Sequence, residues 1–193
     1  MDNYQAIFFI GPQGSGKGTQ AKLLARRLNF FYWEMGGILR QVAATATPLG
    51  EKVRQLIDAG VLLTDEQLYQ VVKLRLGELP ESQGVIFDGI PRRLGQAEFL
   101  LDYLKSSGRS RFATLFINLP REESVSRLLL RAEKEKRADD TLEKIEFRLR
   151  QYEQDTVPVL AYLKTNSDFF EINGQPSVGQ VEQDINHVLN ISQ

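Results

Sequence analysis

The sequence contains no cysteine and only one histidine, His187. The absence of cysteine excludes disulfide bonds and any zinc site with cysteine ligands, and it is typical of proteins from a reducing compartment such as the cytoplasm. His187 lies among apolar residues near the end of the chain, and we expect it to be structural or exposed. The composition therefore offers neither a disulfide framework nor a thiolate metal centre.

An excess of charge and long hydrophobic runs are also missing. The chain has 24 lysines and arginines against 25 aspartates and glutamates, a net charge of −1, so nothing indicates a surface for nucleic acid or acidic lipid. No apolar stretch is long enough to span a membrane, and the first residues lack the basic leader of a signal peptide. We expect a cytoplasmic protein of one compact domain, without nucleic-acid or membrane partners.

Five short apolar segments predict β-strands, and helical patterns fill the gaps between them. These segments lie at about 6–10, 30–34, 84–88, 113–118 and 169–172. Short strands that are apolar on both faces are typical of a parallel sheet covered by helices. The alternation therefore predicts an α/β fold, in which ligands bind at the carboxyl ends of the strands.

The first strand ends in a glycine-rich turn that leads into a helix. The spacing Gly11-x4-Gly16-Lys17 fits a P-loop, although Gly18 follows where the strict motif has serine or threonine. Glycines let the backbone aim successive N–H groups inward, and the helix start adds the positive end of its dipole. Lys17 supplies a charge for the outer phosphates, and the Thr19 hydroxyl is placed to hold Mg²⁺.

The third strand ends in Asp88-Gly89, close to Arg92. An aspartate at the carboxyl end of a buried strand, facing a glycine loop, suits the water shell of a phosphate-bound Mg²⁺. Asp-Gly after a strand is otherwise simply a turn. Arg92 can grip a phosphate through both arms of its guanidinium group.

Arginines recur in the helical patterns that follow the fourth strand. Arg127 and Arg131 are four residues apart and share one helix face, whereas Arg137 and Arg148 are eleven apart, about three helical turns. They could converge on a polyphosphate, or they could form a solvated charged face. Pro158 is expected to kink or restart the long helix.

Four segments, in this order, carry a family resemblance: Gly14-Ser-Gly-Lys-Gly-Thr-Gln20, Asp58-Ala-Gly60 with Thr64-Asp-Glu66, Asp88-Gly-Ile-Pro-Arg92 and Arg137-Ala-Asp-Asp140. The chain resembles the adenylate kinases and their nucleoside monophosphate kinase relatives over essentially its whole length. The Gly18-Thr19 ending is the one that this family shows. The resemblance implies a P-loop NTPase fold with a five-stranded parallel sheet flanked by helices.

The same resemblance implies one kinase domain over residues 1–193, with two mobile parts. The core would comprise 1–33, 64–131 and 137–193, the helical insert that binds the monophosphate 34–63, and a short lid 132–136. A lid this short is without the zinc site of some relatives, so the resemblance implies Mg²⁺ with ATP and no zinc. ATP and AMP or ADP would be the ligands of a monomer.

The resemblance also implies roles for individual residues. ATP would contact Gly14, Ser15, Gly16, Lys17, Gly18, Thr19, Arg127 and Gln175. AMP would contact Met35, Arg40, Val61, Leu62, Leu63, Gly89, Arg92, Gln96, Arg137 and Arg148. The catalytic charges would be Lys17, Arg92, Arg131, Arg137 and Arg148, and Mg²⁺ would be held by Thr19 and Asp88, largely through water.

Two residues depart from the family pattern, which usually has Thr-Gly-Asp where this chain has Met35-Gly36-Gly37. Met35 replaces a hydroxyl that faces the AMP base in adenylate kinases, and Gly37 removes a carboxylate associated with the Mg²⁺ water shell. The leading hypothesis is an adenylate kinase, ATP + AMP ⇌ 2 ADP. A kinase for UMP, CMP or another monophosphate, or a catalytically impaired nucleotide-binding module, are the alternatives.

Overall fold

The computed structural model describes residues 4–59, 63–135 and 141–191. The strands are β1 Ala6–Ile10, β2 Phe31–Glu34, β3 Val85–Asp88, β4 Phe112–Asn118 and β5 Asp168–Asn173. The first helices are α1 Lys17–Leu28, α2 Met35–Ala43, α3 Pro48–Asp58, α4 Asp65–Gly77 and α5 Leu94–Ser106. They are followed by α6 Arg121–Glu135, α7 Leu142–Gln151, a π-helical turn Tyr152–Thr156, α8 Val157–Asn166 and α9 Val178–Val188.

The strands form one parallel sheet in the order β2-β3-β1-β4-β5. The register places Phe9 beside Asp88, and Asp88 beside Glu34, so the carboxyl ends of β1, β2 and β3 meet at one edge. The α/β fold and the five strands predicted from the sequence are confirmed, with strand ends shifted by one residue at most. The predicted site segments therefore share the ligand-binding edge of the sheet.

Alternate residues of the central strand β1 pack on opposite faces of the sheet. On one face Phe8 stacks against Phe87, whose ring also contacts the fully buried Trp33, and α4, α5 and α8 cover this cluster. On the other face Ile7 and Phe9 pack against α1 and α9. Burial on both faces holds β1 rigid, and the start of the loop after β1 is therefore held in a fixed position.

Side-chain caps mark the starts of two helices. Thr64 begins α4 in a reciprocal capping box with Gln67, and the Ser177 hydroxyl accepts from the Gln180 N–H at the start of α9. Pro158 occupies the first turn of α8, directly after the π-helical turn, which confirms the predicted interruption. Within the described ranges, no helix combines the length and apolar character needed to cross a membrane.

One predicted relation between arginines does not hold. The helix that carries Arg148 begins at Leu142, where the Thr141 hydroxyl accepts from the Lys144 N–H. A capped helix start separates positions 137 and 148. The predicted distance of about three helical turns therefore does not apply to these two arginines. Arg137, Val61 and Leu62 themselves lie outside the described residues, as does residue 136 of the predicted lid; residues 132–135 continue α6.

Candidate active site

The loop between β1 and α1 encloses a cradle of backbone groups. Gly14 and Gly16 have φ of +85° and +86°, a left-handed conformation that side chains rarely adopt. Gly16 is the residue before α1, and no side chain caps that helix start. The first N–H groups of α1 therefore remain available for an anion, at the positive end of the helix dipole.

Two buried polar atoms of the same loop have no hydrogen-bond partner among the described residues. They are the Ser15 hydroxyl and Oε1 of Gln13. Buried polar groups are normally paired, and exceptions call for a missing water, ion or ligand. The shape of the loop suits a bound phosphate, to which the Ser15 hydroxyl can donate, whereas the Gln13 oxygen can only accept and needs a donor such as water.

Lys17, the first residue of α1, lies partly buried beneath the loop. Its Nζ donates to the Pro12 carbonyl at 3.2 Å. Burial lowers the Lys17 pKa to about 8, an effect that the negative charge of Asp88 opposes and the nearby charges of Arg92 and Arg131 increase. A phosphate would offset that burial, so the ammonium group gains more from an anion here than on the surface.

Three half-buried arginines line the cavity in front of the loop. Arg127 and Arg131 come from α6 and Arg148 from α7, and the cavity of about 460 Å³ also contacts Lys17 and Asp88. Arg127 is held in place, since its two terminal nitrogens donate to the carbonyls of Gly174 and Gln175, each at 2.9 Å. Its Nε donates to Glu123 at 2.8 Å. The guanidinium plane of Arg127 is thus fixed at the turn after β5.

Asp88 faces the loop from the end of β3. Its Oδ2 accepts from the Tyr32 hydroxyl at 2.9 Å, and burial together with this carboxylate raises the Tyr32 pKa well above its usual range. A Cβ at Gly18 would lie only 3.0 Å from the same oxygen. This close approach explains why glycine stands where the strict P-loop has a hydroxyl residue. Thr19 lines the same cavity one position later.

A second group of predicted residues lies beyond Asp88, at the junction of β3 and α5. Gly89 has φ of +90°, and a Cβ there would meet Met35 Cβ at 3.6 Å and Arg92 Nη2 at 3.4 Å. The Arg92 Nε donates to the Gly89 carbonyl at 2.9 Å. Met35 and Arg92 therefore both lie next to Gly89, and Gly89 and Arg92 share a cavity with the loop after β1.

Gln96, on the first turns of α5, uses both ends of its carboxamide within the protein. Its Oε1 accepts from the Arg92 N–H at 2.9 Å, and its Nε2 donates to Asp65 at 2.7 Å. The side chain is buried, which favours such paired contacts. A base that contacts this carboxamide would have to compete with Asp65 for the amide group.

Comparison with known proteins places this geometry in a family. The family model for adenylate kinase matches residues 9–168. The chain belongs to the adenylate kinase family. An adenylate kinase of Thermus thermophilus is 39% identical over 191 residues, covering 99% of this chain and 100% of the relative. An adenylate kinase of a Cyanothece species is 37% identical over 95% of this chain and 94% of the relative. An adenylate kinase 1 of a Nostoc species is 36% identical over 95% and 97%.

Membership of the adenylate kinase family confirms the predicted fold, family and enzyme class, a phosphotransferase of the nucleoside monophosphate kinase type. The described structure brings most of the residues predicted for ATP, Mg²⁺ and catalysis together around one cavity: Gly14, Gly16, Lys17, Gly18, Thr19, Asp88, Arg127, Arg131 and Arg148. Gln175 joins them through Arg127. On the acceptor side, Arg40 is exposed on α2 and Leu63 packs against the core before α4.

Sequence reasoning missed two contacts beneath these groups. The buried Thr156 hydroxyl, in the π-helical turn, donates to the Arg92 carbonyl at 3.1 Å. Tyr32 holds Asp88 from the neighbouring strand. Neither residue belongs to a motif within the adenylate kinase resemblance. The register of β2 with β3 brings Tyr32 to the site, and the π-helical turn before Pro158 brings Thr156 there. π-Helical turns are frequent at functional sites, which is the one signal that points to Thr156.

Proposed function

We propose that this chain catalyses the reversible transfer of the γ-phosphoryl group from ATP to AMP, giving two molecules of ADP. The observation that carries the proposal is a cavity lined by Lys17, Arg131 and Arg148 at a helix start that no side chain caps. These positive groups can neutralise the charge of the transferring phosphoryl group, and no covalent step is required of the protein.

ATP would bind with its phosphates in the glycine loop and its base near the turn after β5. The backbone N–H groups of 14–19 and the Lys17 ammonium would hold the phosphates. As the family resemblance implies, Arg127 would stack on the adenine, and the carbonyls of Gly174 and Gln175 fix its guanidinium plane for such a contact. Ser15, whose buried hydroxyl has no partner in the described chain, would donate to the same phosphates.

Mg²⁺ would be held by Thr19 and Asp88, largely through water. The carboxylate and the hydroxyl line the same cavity as Lys17, and Gly18 leaves the Asp88 oxygen room at the loop. Oxygen donors and retained water are what this ion prefers. When bound, it neutralises charge on the β- and γ-phosphates. We propose no zinc, because the sequence has no cysteine ligands to offer.

The acceptor nucleotide would place its phosphate between Arg40 and Arg92, and its base near Met35, Gln96 and residues 61–63. Its attacking oxygen is already ionised near neutral pH, so no general base is needed. Catalysis would then consist of alignment of two nucleotides, with Arg131, Arg137 and Arg148 around the group in transit. Closure of the proposed insert 34–63 and lid 132–136 would exclude water as a competing acceptor.

We propose that the protein acts as a cytoplasmic monomer on small nucleotides, and the net charge of −1 favours such ligands over nucleic acid or membranes. The test is a coupled assay with Mg²⁺·ATP and each of AMP, UMP, CMP and GMP. We expect turnover with AMP and the highest kcat/KM for it. A preference for a pyrimidine monophosphate would favour the second hypothesis, and binding without turnover would reject a phosphoryl transfer role.

A further inference from the structure

Glu34 lies at the end of β2, where its carboxylate turns onto the start of α2. The Oε2 atom accepts from the Gly37 N–H at 2.9 Å and lies 3.5 Å from Nη2 of Arg40. Glutamate is an unusual residue for this capping position, which serine, threonine, aspartate and asparagine normally occupy. One carboxylate therefore serves both a helix start and an arginine at the predicted acceptor site.

Two consecutive glycines leave room for this carboxylate. A Cβ at Gly36 would lie 2.8 Å from Oε1 of Glu34, and a Cβ at Gly37 would lie 2.7 Å from Oε2. Both distances are shorter than atoms in contact allow. The negative charge is thus placed against the first turn of α2, where the free N–H groups and the helix dipole stabilise it.

The partner arginine is held far less firmly. The Arg40 side chain is 70% exposed and the Glu34 side chain 42%, and a single exposed pair at 3.5 Å contributes little stability. Arg40 can therefore exchange Glu34 for another anion, while Glu34 keeps its bond to the Gly37 N–H. A phosphate dianion offers Arg40 two oxygens at once, which is the stronger arrangement.

We propose that Glu34 is a positioning residue that competes with the acceptor phosphate for Arg40 and so weakens the binding of the nucleoside monophosphate. This inference rests on the proposed function, which places the acceptor phosphate at Arg40. In the free enzyme Glu34 neutralises Arg40. When the monophosphate binds, Arg40 must leave Glu34 and turn to the phosphate, so the free energy of the contact between Arg40 and Glu34 is subtracted from that of binding.

The test is the affinity for AMP of Glu34→Gln, measured by isothermal titration calorimetry without ATP. Glutamine keeps the length of the side chain and an oxygen that can accept from the Gly37 N–H, but it removes the charge. We expect the Kd for AMP to fall by about three- to tenfold, and the Kd for ATP to stay within about twofold. Glu51→Gln, at an exposed position in the first turn of α3, changes the net charge equally and is expected to leave both affinities unchanged.

A second pair of variants tests whether the effect passes through Arg40. In an Arg40→Ala background, Glu34→Gln is expected to change the Kd for AMP by less than about twofold. An unchanged or weaker affinity for AMP in Glu34→Gln alone would overturn the proposal, and so would an equal tightening in the absence of Arg40. If the unaltered enzyme transfers phosphoryl groups to AMP while Glu34→Gln fails to tighten binding, only this inference fails. An unaltered enzyme that neither binds nor phosphorylates AMP would overturn the proposed function itself.

Discussion

The two sides of the site are built differently. Around the loop after β1, the start of α1 and several cations line one cavity, and the buried Ser15 hydroxyl of the loop has no partner among the described residues. The acceptor side comprises the residues that are predicted to bind the monophosphate. There the polar side chains are bound to other protein groups: Arg40 to Glu34, and Gln96 to Arg92 and Asp65. The start of α1 on the donor side is therefore open to phosphate, whereas Arg40 and Gln96 on the acceptor side must exchange protein partners for a ligand. Preorganisation of this kind favours tighter binding at the donor side.

The largest effect should come from removal of the Lys17 ammonium group at the loop after β1. We expect Lys17→Met to lower kcat by about 10³-fold, because a partly buried charge at the transferring phosphates is lost. Thermal unfolding should remain cooperative at an unchanged or higher temperature, since the substitution also removes the cost of burying the charge. A folded Lys17→Met variant with the turnover of the unaltered enzyme would contradict the donor assignment.

Arg92→Ala tests the acceptor side, with an expected loss of about 10²-fold in kcat/KM for AMP. Arg92→Lys is the matched variant, which keeps the positive charge but replaces the planar guanidinium group by an ammonium group. We expect it to recover only part of the loss, because the lysine ammonium cannot hold two phosphate oxygens in the same geometry. Equal loss of affinity for ATP in steady-state kinetics would indicate that Arg92 does not belong to the acceptor side alone.

The donor side was predictable because it is local in sequence. A strand, glycines at fixed spacing and a helix start lie within fifteen residues, and each follows from backbone sterics and hydrogen bonding. The five strands were equally predictable, since each is a short apolar segment between helical patterns. Asp88 and Arg92 required only the further rule that strand ends of a parallel sheet meet at one edge.

The contacts of the acceptor side were not predictable from one sequence. The hydrogen bond from Tyr32 to Asp88 depends on the register of two strands that are 56 residues apart in the chain. Thr156 reaches Arg92 across 64 residues through a π-helical turn, for which the sequence has no clear signal besides Pro158. Arg148 was predicted on a helix with Arg137, and the Thr141 cap shows that this helix begins later. Tertiary packing decided the first two contacts, and a local helix cap decided the third feature.

Gln96 tests whether the acceptor side depends on hydrogen bonds within the protein, because its carboxamide joins Arg92 to Asp65. We expect Gln96→Ala to lower the free energy of unfolding by about 1–2 kcal/mol, since two buried hydrogen bonds are lost. The KM for AMP should also rise, while the KM for ATP stays near its original value. Gln180→Ala is the control, since Gln180 is an exposed residue of α9 that bonds Asp184, and its effect in urea unfolding should stay within about 0.5 kcal/mol.

The smallest expected effect is a proton uptake confined to the donor side. With a pKa of about 8, Lys17 is roughly half charged at pH 8 in the free enzyme, and bound phosphate would raise that pKa. Binding of ATP at pH 8 should therefore take up about half a proton, and affinity should decline as the pH rises further. Calorimetry in buffers of different ionisation enthalpy measures this uptake. It should vanish in Lys17→Met and be absent when AMP binds alone.

The central claim is that one edge of the sheet aligns the phosphates of two nucleotides by charge and backbone geometry. The most direct measurement is a crystal structure with a dinucleotide in which two adenosines are joined by five phosphates. We expect one end of the phosphate chain in the loop at 11–17, with Lys17 in contact, and the other end at Arg92. A dinucleotide bound away from the cleft between that loop and Arg92 would contradict the account.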